Sequence, residues 1–107
     1  MENVVKYWNL EEGYSVDYDD NSFFAYDVNG DEFYVAHAYV ENRSKSYAFF
    51  KRLKDKAREC GCKYISGNLE INDANKESYT KKVMVHIGNG YRIVNVTDKR
   101  ITVVYDL

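Results

Sequence analysis

Apolar and polar positions alternate in strand-like fashion over much of this chain and twice give way to a helical period. Phe23–Val28 and Glu32–Glu41 predict two strands joined at Asn29-Gly30, a dipeptide that accepts the positive φ values of a type I′ turn. The second strand is apolar on both sides. Phe33, Val35, His37 and Tyr39 fall on one and Tyr34, Ala36, Ala38 and Val40 on the other, as in a central strand covered on both faces. Ser46–Cys60 reads as a helix: Phe49, Leu53, Ala57 and Cys60 recur at i, i+4, i+8 and i+11, and Phe50 broadens the stripe. Ser44 or Ser46 can cap its start and Gly61 ends it.

Lys63–Ile71 predicts the next strand, with Ile65, Leu69 and Ile71 on one face and Gly67 marking a bulge. Asn75 caps a second helix running to about His86, with Tyr79, Val83 and Ile87 inward, and Gly88-Asn89-Gly90 stops it. Tyr91–Val96 and Ile101–Tyr105 form a closing hairpin around Thr97-Asp98-Lys99-Arg100. Val4–Leu10 is too evenly apolar to choose between helix and strand, and the rest of residues 1–21 reads as acidic and irregular. The order is β-β-α-β-α-β-β. Its β–helix–β unit requires a right-handed crossover to a parallel strand. The expected fold is one α+β domain over residues 1–107, a mixed sheet of about five to six strands with two main helices.

Composition narrows the function. Apolar residues make up 45%, enough for a packed core, and the eleven tyrosines suit either a small sheet core or a binding surface. There is no proline, no run long enough to span a membrane and no signal-peptide pattern at Met1–Lys6, so a cytoplasmic protein is expected. Cys60-Gly61-Cys62 has the wrong spacing for a zinc motif and a poor one for a disulfide, so no metal is expected. Residues 1–42 hold ten acids and one base, whereas residues 43–107 hold fourteen bases and seven acids. The folded molecule should be dipolar, its basic half open to a phosphate-bearing ligand, nucleic acid or an acidic protein surface. Asp55 and Glu59 interrupt the basic helix face and the pI is about 5.7, which argues against a dedicated nucleic-acid binder.

One stretch points to a ligand. From Val40 through Arg43, Ser44, Lys45, Ser46, Tyr47 and Ala48 a strand ends, a basic polar turn follows and a helix begins. Backbone N–H groups and positive charge meet there as a pyrophosphate requires.

The element order and this stretch resemble the GNAT superfamily of acyl-CoA-dependent N-acyltransferases over about residues 22–107. The family pattern R/Q-x-x-G-x-G/A matches Arg43-Ser44-Lys45-Ser46-Tyr47-Ala48, with Arg43 and Ala48 fitting and Ser46 standing where the family has glycine. Asn75 and Ser78 resemble the family's Asn followed three positions on by a small residue, and Gly90-Tyr91 its Gly-aromatic pair. Seven residues beyond Asn75, Lys82 replaces a tyrosine that many members use as an acid, and the N-terminal portion is shorter than usual. The resemblance implies acetyl-CoA or CoA held at Val40, Arg43–Ala48 and Asn75. It also implies a pantetheine arm between two splayed parallel strands, Phe33–Val40 and Lys63–Ile71. Catalytic candidates are His37 or Glu32 as base and Tyr79 as acid. The alternative is a fold whose catalysis is lost, serving as a binding or assembly module with a protein partner on its acidic or basic face. Such short members are similar to acetyltransferase-like proteins of tailed bacteriophages, some of them particle components or host-directed factors, which would place the chain in a host cytoplasm or virion.

Overall fold

The computed structural model describes residues 2–71 and 76–107, and of Arg43, Lys76 and Glu77 the backbone alone. Helix α1 (Glu2–Lys6) runs into a π turn (Tyr7–Glu11) and is followed by strands β1 (Ser15–Tyr18), β2 (Ser22–Asn29) and β3 (Glu32–Val40). A 3₁₀ turn (Arg43–Lys45) leads into α2 (Ser46–Glu59), then come β4 (Tyr64–Glu70), α3 (Lys76–Gly88), β5 (Arg92–Val96) and β6 (Arg100–Asp106). The six strands form one mixed sheet in the order β1-β2-β3-β4-β6-β5, with β3 central, as its two apolar faces predict, and parallel to β4. This is the expected α+β class. None of the described helices is long and apolar enough to cross a membrane.

Several elements depart from the sequence expectation. The hairpin closes on Gly30-Asp31, because Asn29 pairs with Glu32. Only Gly30 has a positive φ, +60°, which fits a type II′ turn and leaves Asn29 in the strand. Residues 15–18 pair antiparallel with β2, so the acidic segment contributes a strand; four residues alone were too short to show their period. Val4–Leu10 resolves as helix and π turn.

The core gathers on one face of the sheet, where Phe24, Phe33, Ile65 and Val103 are fully buried beneath α2 and α3. Phe49, Phe50, Leu53 and Ala57 are buried on α2 as predicted, but the helix ends at Glu59, which leaves Cys60 exposed and brings Cys62 inside. On α3, Tyr79 and Val83 pack against the core, whereas Ile87 is 45% exposed. At 100° per residue, eight positions carry a side chain about 80° off the Tyr79 direction and seven only about 20°. His86 therefore takes the inward place, its ring 5.2 Å from Phe50 and 5.1 Å from Tyr91. Lys54 ties the two helices to the last strand, donating to the Asn89 carbonyl at 2.9 Å and lying 4.1 Å from the Tyr105 ring centre.

The irregularity expected at Gly67 lies elsewhere. Gly67 pairs regularly with Val35 and Val103. The bulge is on β3, where Val35 opposes Tyr26 and His37 opposes Ala25, leaving Ala36 as the extra residue. One extra residue reverses the alternation beyond it. Phe33 and Val35 face the α2 side, but His37 and Tyr39 emerge on the opposite face.

Phe33 touches Tyr26 and Phe24 and is fully buried at the centre of this core. Phe33→Ala is expected to lower unfolding free energy by about 3–5 kcal/mol. Leu10→Ala, at a site 78% exposed, should change it by less than about 0.5 kcal/mol. Urea denaturation followed by far-UV circular dichroism measures both.

Candidate functional site

The Ala36 bulge opens the sheet. β3 and β4 are paired from Glu32↔Tyr64 to Val35↔Gly67 and no further. Beyond that point β3 stays with β2 to Val40, and β4 stays with β6 to Glu70. The inner edges of Ala36–Val40 and Asn68–Glu70 thus face each other across a wedge, with backbone groups free of a strand partner on that side. The parting falls in the pair of strands expected to splay.

The open half of β3 leads into the start of α2. Lys45 occupies the N-cap position and no side chain caps the helix. Neither Ser44 nor Ser46 serves as the cap, because the 3₁₀ turn moves the helix start and Ser44 turns to Asn42. The Asn42 Oδ1 accepts from the Ser44 N–H at 3.0 Å and from the Ser44 hydroxyl at 2.9 Å. The Lys45 N–H bonds to the Asn42 carbonyl at 2.9 Å. Asn42 therefore pre-shapes the turn, a role its place before two small polar residues could have signalled. Ser46 is half-buried, whereas Tyr47 is 78% exposed and Ala48 is exposed. Val40 packs against the core at the end of β3. Asn75 lies outside the described residues.

The catalytic candidates do not converge. His37 stands just past the bulge at the mouth of the wedge, on the face away from α2. Its ring stacks on Trp8, with centroids 4.0 Å apart and planes at 26°. Burial pushes its pKa below the ordinary histidine value, with Glu12 and Glu70 pulling weakly the other way. Trp8 belongs to the π turn, and no sequence signal placed it there. Glu32 sits at the closed end of the β3–β4 pair, where its Oε2 accepts from the Ser66 hydroxyl at 2.6 Å. Tyr79 is partly buried on α3 against the core, and Lys82 is exposed. His86 lies in the last turn of α3, where the helix dipole favours a cation, yet burial holds its pKa below the ordinary histidine value. Among the described residues no group of His, Cys, Asp and Glu could hold a metal ion.

Two hollows of about 260 and 360 Å³ flank α2 on its β1–β2 side; both are lined by Ala48 and Arg52, and the smaller also by Val40 and Lys45 where β3 ends and α2 begins. They surround a clamp. The Arg52 Nη1 donates to Asp19, its Nε lies 3.1 Å from Asp17 but off the hydrogen-bonding direction, and the guanidinium rests over Phe24 and Phe49. Asp19 also accepts from the N–H groups of Asn21 and Ser22 at 2.8 and 2.7 Å. The Asn21 bond first, then Ser22 and Arg52, lower its pKa.

No protein-family model matches the chain, and no curated protein matches it. Solved structures do. A ribosomal-protein-alanine N-acetyltransferase from Brucella melitensis superposes with a TM-score of 0.65 at 14% identity, over 99% of this chain and 78% of the other. The yncA acetyltransferase of Salmonella typhimurium, solved with its cofactor acetyl-CoA, gives 0.64 at 15% identity over 99% and 73%. The ribosomal-protein-S18-alanine N-acetyltransferase of Escherichia coli gives 0.62 at 15% identity over 80% of this chain, which spans 61% of that enzyme. At these identities the likeness shows the fold, that of the GNAT acetyltransferases.

The clamp has a pH signature. A carboxylate whose folded pKa is depressed stabilises the fold above the ordinary aspartate value and loses that contribution as pH falls through the lower folded value. Asp19→Asn should cost up to about 1 kcal/mol at neutral pH, and the difference from wild type should shrink to nothing in acid. Thermal unfolding across pH measures it.

Proposed function

We propose that this chain is a minimal GNAT protein acting as an acyl-CoA-dependent N-acyltransferase. The observation that carries this reading is the wedge between β3 and β4 with an uncapped helix start at its open end. An extended amide-containing arm entering the wedge would satisfy the free backbone groups of Ala36–Val40 as a missing strand does. A pyrophosphate at the 3₁₀ turn and first turn of α2 would meet backbone N–H groups and the positive charge of Arg43 and Lys45. The Ser44 and Lys45 N–H groups are already taken by Asn42, so the donors fall to the residues from Ser46 onward. Acyl-CoA would supply an activated thioester.

The chain's own residues would then handle protons. His37, beside the wedge and with its pKa lowered by partial burial, can accept a proton from an attacking amine. Tyr79 is the candidate to protonate the leaving thiolate. The glutamate alternative, Glu32, lies at the closed end of the strand pair and would need a route to the wedge.

A second reading is favoured by the Trp8–His37 stack, which covers the proposed base from the face opposite α2. In that case the fold has lost turnover and serves as a binding or assembly module.

Calorimetric titration with acetyl-CoA and CoA tests the first reading. Micromolar binding is expected, weakened roughly tenfold or more by Arg43→Glu, the scale of one charge-assisted bond. Absence of binding at millimolar ligand would leave the second reading. If an acceptor amine is acylated, kcat/KM should rise through a pKa below the ordinary histidine value of 6.5. His37→Gln should remove that limb and cost roughly 10²- to 10⁴-fold in rate.

A further inference from the structure

The sheet face away from α2 carries an aromatic ladder beside the Trp8 cover on His37. Tyr18 on β1 pairs with Phe23 on β2, and Phe23 pairs with Tyr39 on β3, so the three rings stand in one row across three strands. Phe23 is nearly buried beneath its neighbours, stacked 6.3 Å from Tyr39, whereas Tyr18 and Tyr39 are 54% and 49% exposed. Strand alternation and the Ala36 bulge put Trp8-covered His37 on the same face, which extends the ladder to the wedge.

The surroundings are acidic. By register Asp27 and Glu70 project to this face, Glu41 follows Tyr39, and Glu12 acts on His37. Among the bases near it, Arg92 is bound to Asp106, Arg100 stands opposite Glu70 at the far side of the sheet, and Lys6 ends α1 two residues before Trp8. Exposed tyrosine faces among carboxylates are chemically matched to ammonium and guanidinium groups.

We propose that this face is a docking surface for a lysine- or arginine-rich polypeptide segment. The basic helix α2 of a second copy is a poorer occupant, because most of its cations already have partners within the chain. Lys51 and Arg58 are 2.9 and 3.7 Å from Asp55, Arg52 is clamped, and Lys54 is bonded to Asn89. The surface lies across the sheet from the start of α2, so it is read without acyl-CoA and stands whether or not the chain turns over.

Fluorescence polarisation with a short labelled lysine–glycine repeat peptide, and its glutamate–glycine counterpart, tests it on the intact protein. The cationic peptide should bind, more weakly as salt rises, and the anionic one should not. Tyr18→Ser and Tyr39→Ser should each weaken binding about two- to fivefold, one exposed cation–π contact apiece, and roughly tenfold together. Met84→Ser, at an exposed position on α3, should leave it unchanged, and circular dichroism should show every variant folded. Equal binding of both peptides, indifference to the two ladder tyrosines, or a protein that self-associates through them would overturn the proposal.

Discussion

A single extra residue in β3 governs the rest of the structure. Ala36 cannot be accommodated in the ladder with β2 without bending the strand, and the bend carries β3 away from β4 after four paired positions. The same residue reverses the side to which every later side chain of β3 points. Core-facing Phe33 and Val35 are thereby followed by His37 and Tyr39 on the other face. Wedge, exposed ladder and placement of the histidine are three results of one insertion.

Much of the fold was legible because the relevant signals are local. The hairpin, the doubly apolar central strand, the stripe Phe49–Leu53–Ala57 and the parallel crossover follow from period and turn chemistry. What escaped was set by pairing. An alanine bulge looks like any strand residue, whereas Gly67 attracts suspicion it does not merit. Asn29 was outcompeted because ladder pairing with Glu32 left Gly30 to take the positive φ. The inward place of His86 follows from 3.6 residues per turn, which an i+8 count blurs. At the site, the position of residues Val40–Ala48 at the end of a central strand could be read. The Asn42 contacts and the Trp8 stack depend on tertiary approach and could not.

The unequal charge of the two halves resolves into geometry. Acids of the first half and bases of the second meet at Arg52, where Asp17 and Asp19 fix the β1–β2 turn against α2 and the guanidinium shields Phe24 and Phe49. The remaining acids are left mainly on the face across the sheet. Two surfaces of opposite character, one basic at the helix start and one acidic and aromatic, are thus separated by the thickness of a single sheet, with the wedge between them.

The connectivity also favours one order of assembly. β2 and β3 are joined by a two-residue turn and can pair early, with the bulge already built in. β4 can find β3 only after the chain has closed a loop containing all of α2, which costs more entropy and comes later. With no proline to isomerise, no slow peptide-bond step separates the two stages. The wedge does not exist in the hairpin; it appears when the last central partner docks. A nascent or partly unfolded chain therefore presents a sticky β3 edge, and the finished fold turns the closed part of that edge into structure and the open part into a recess.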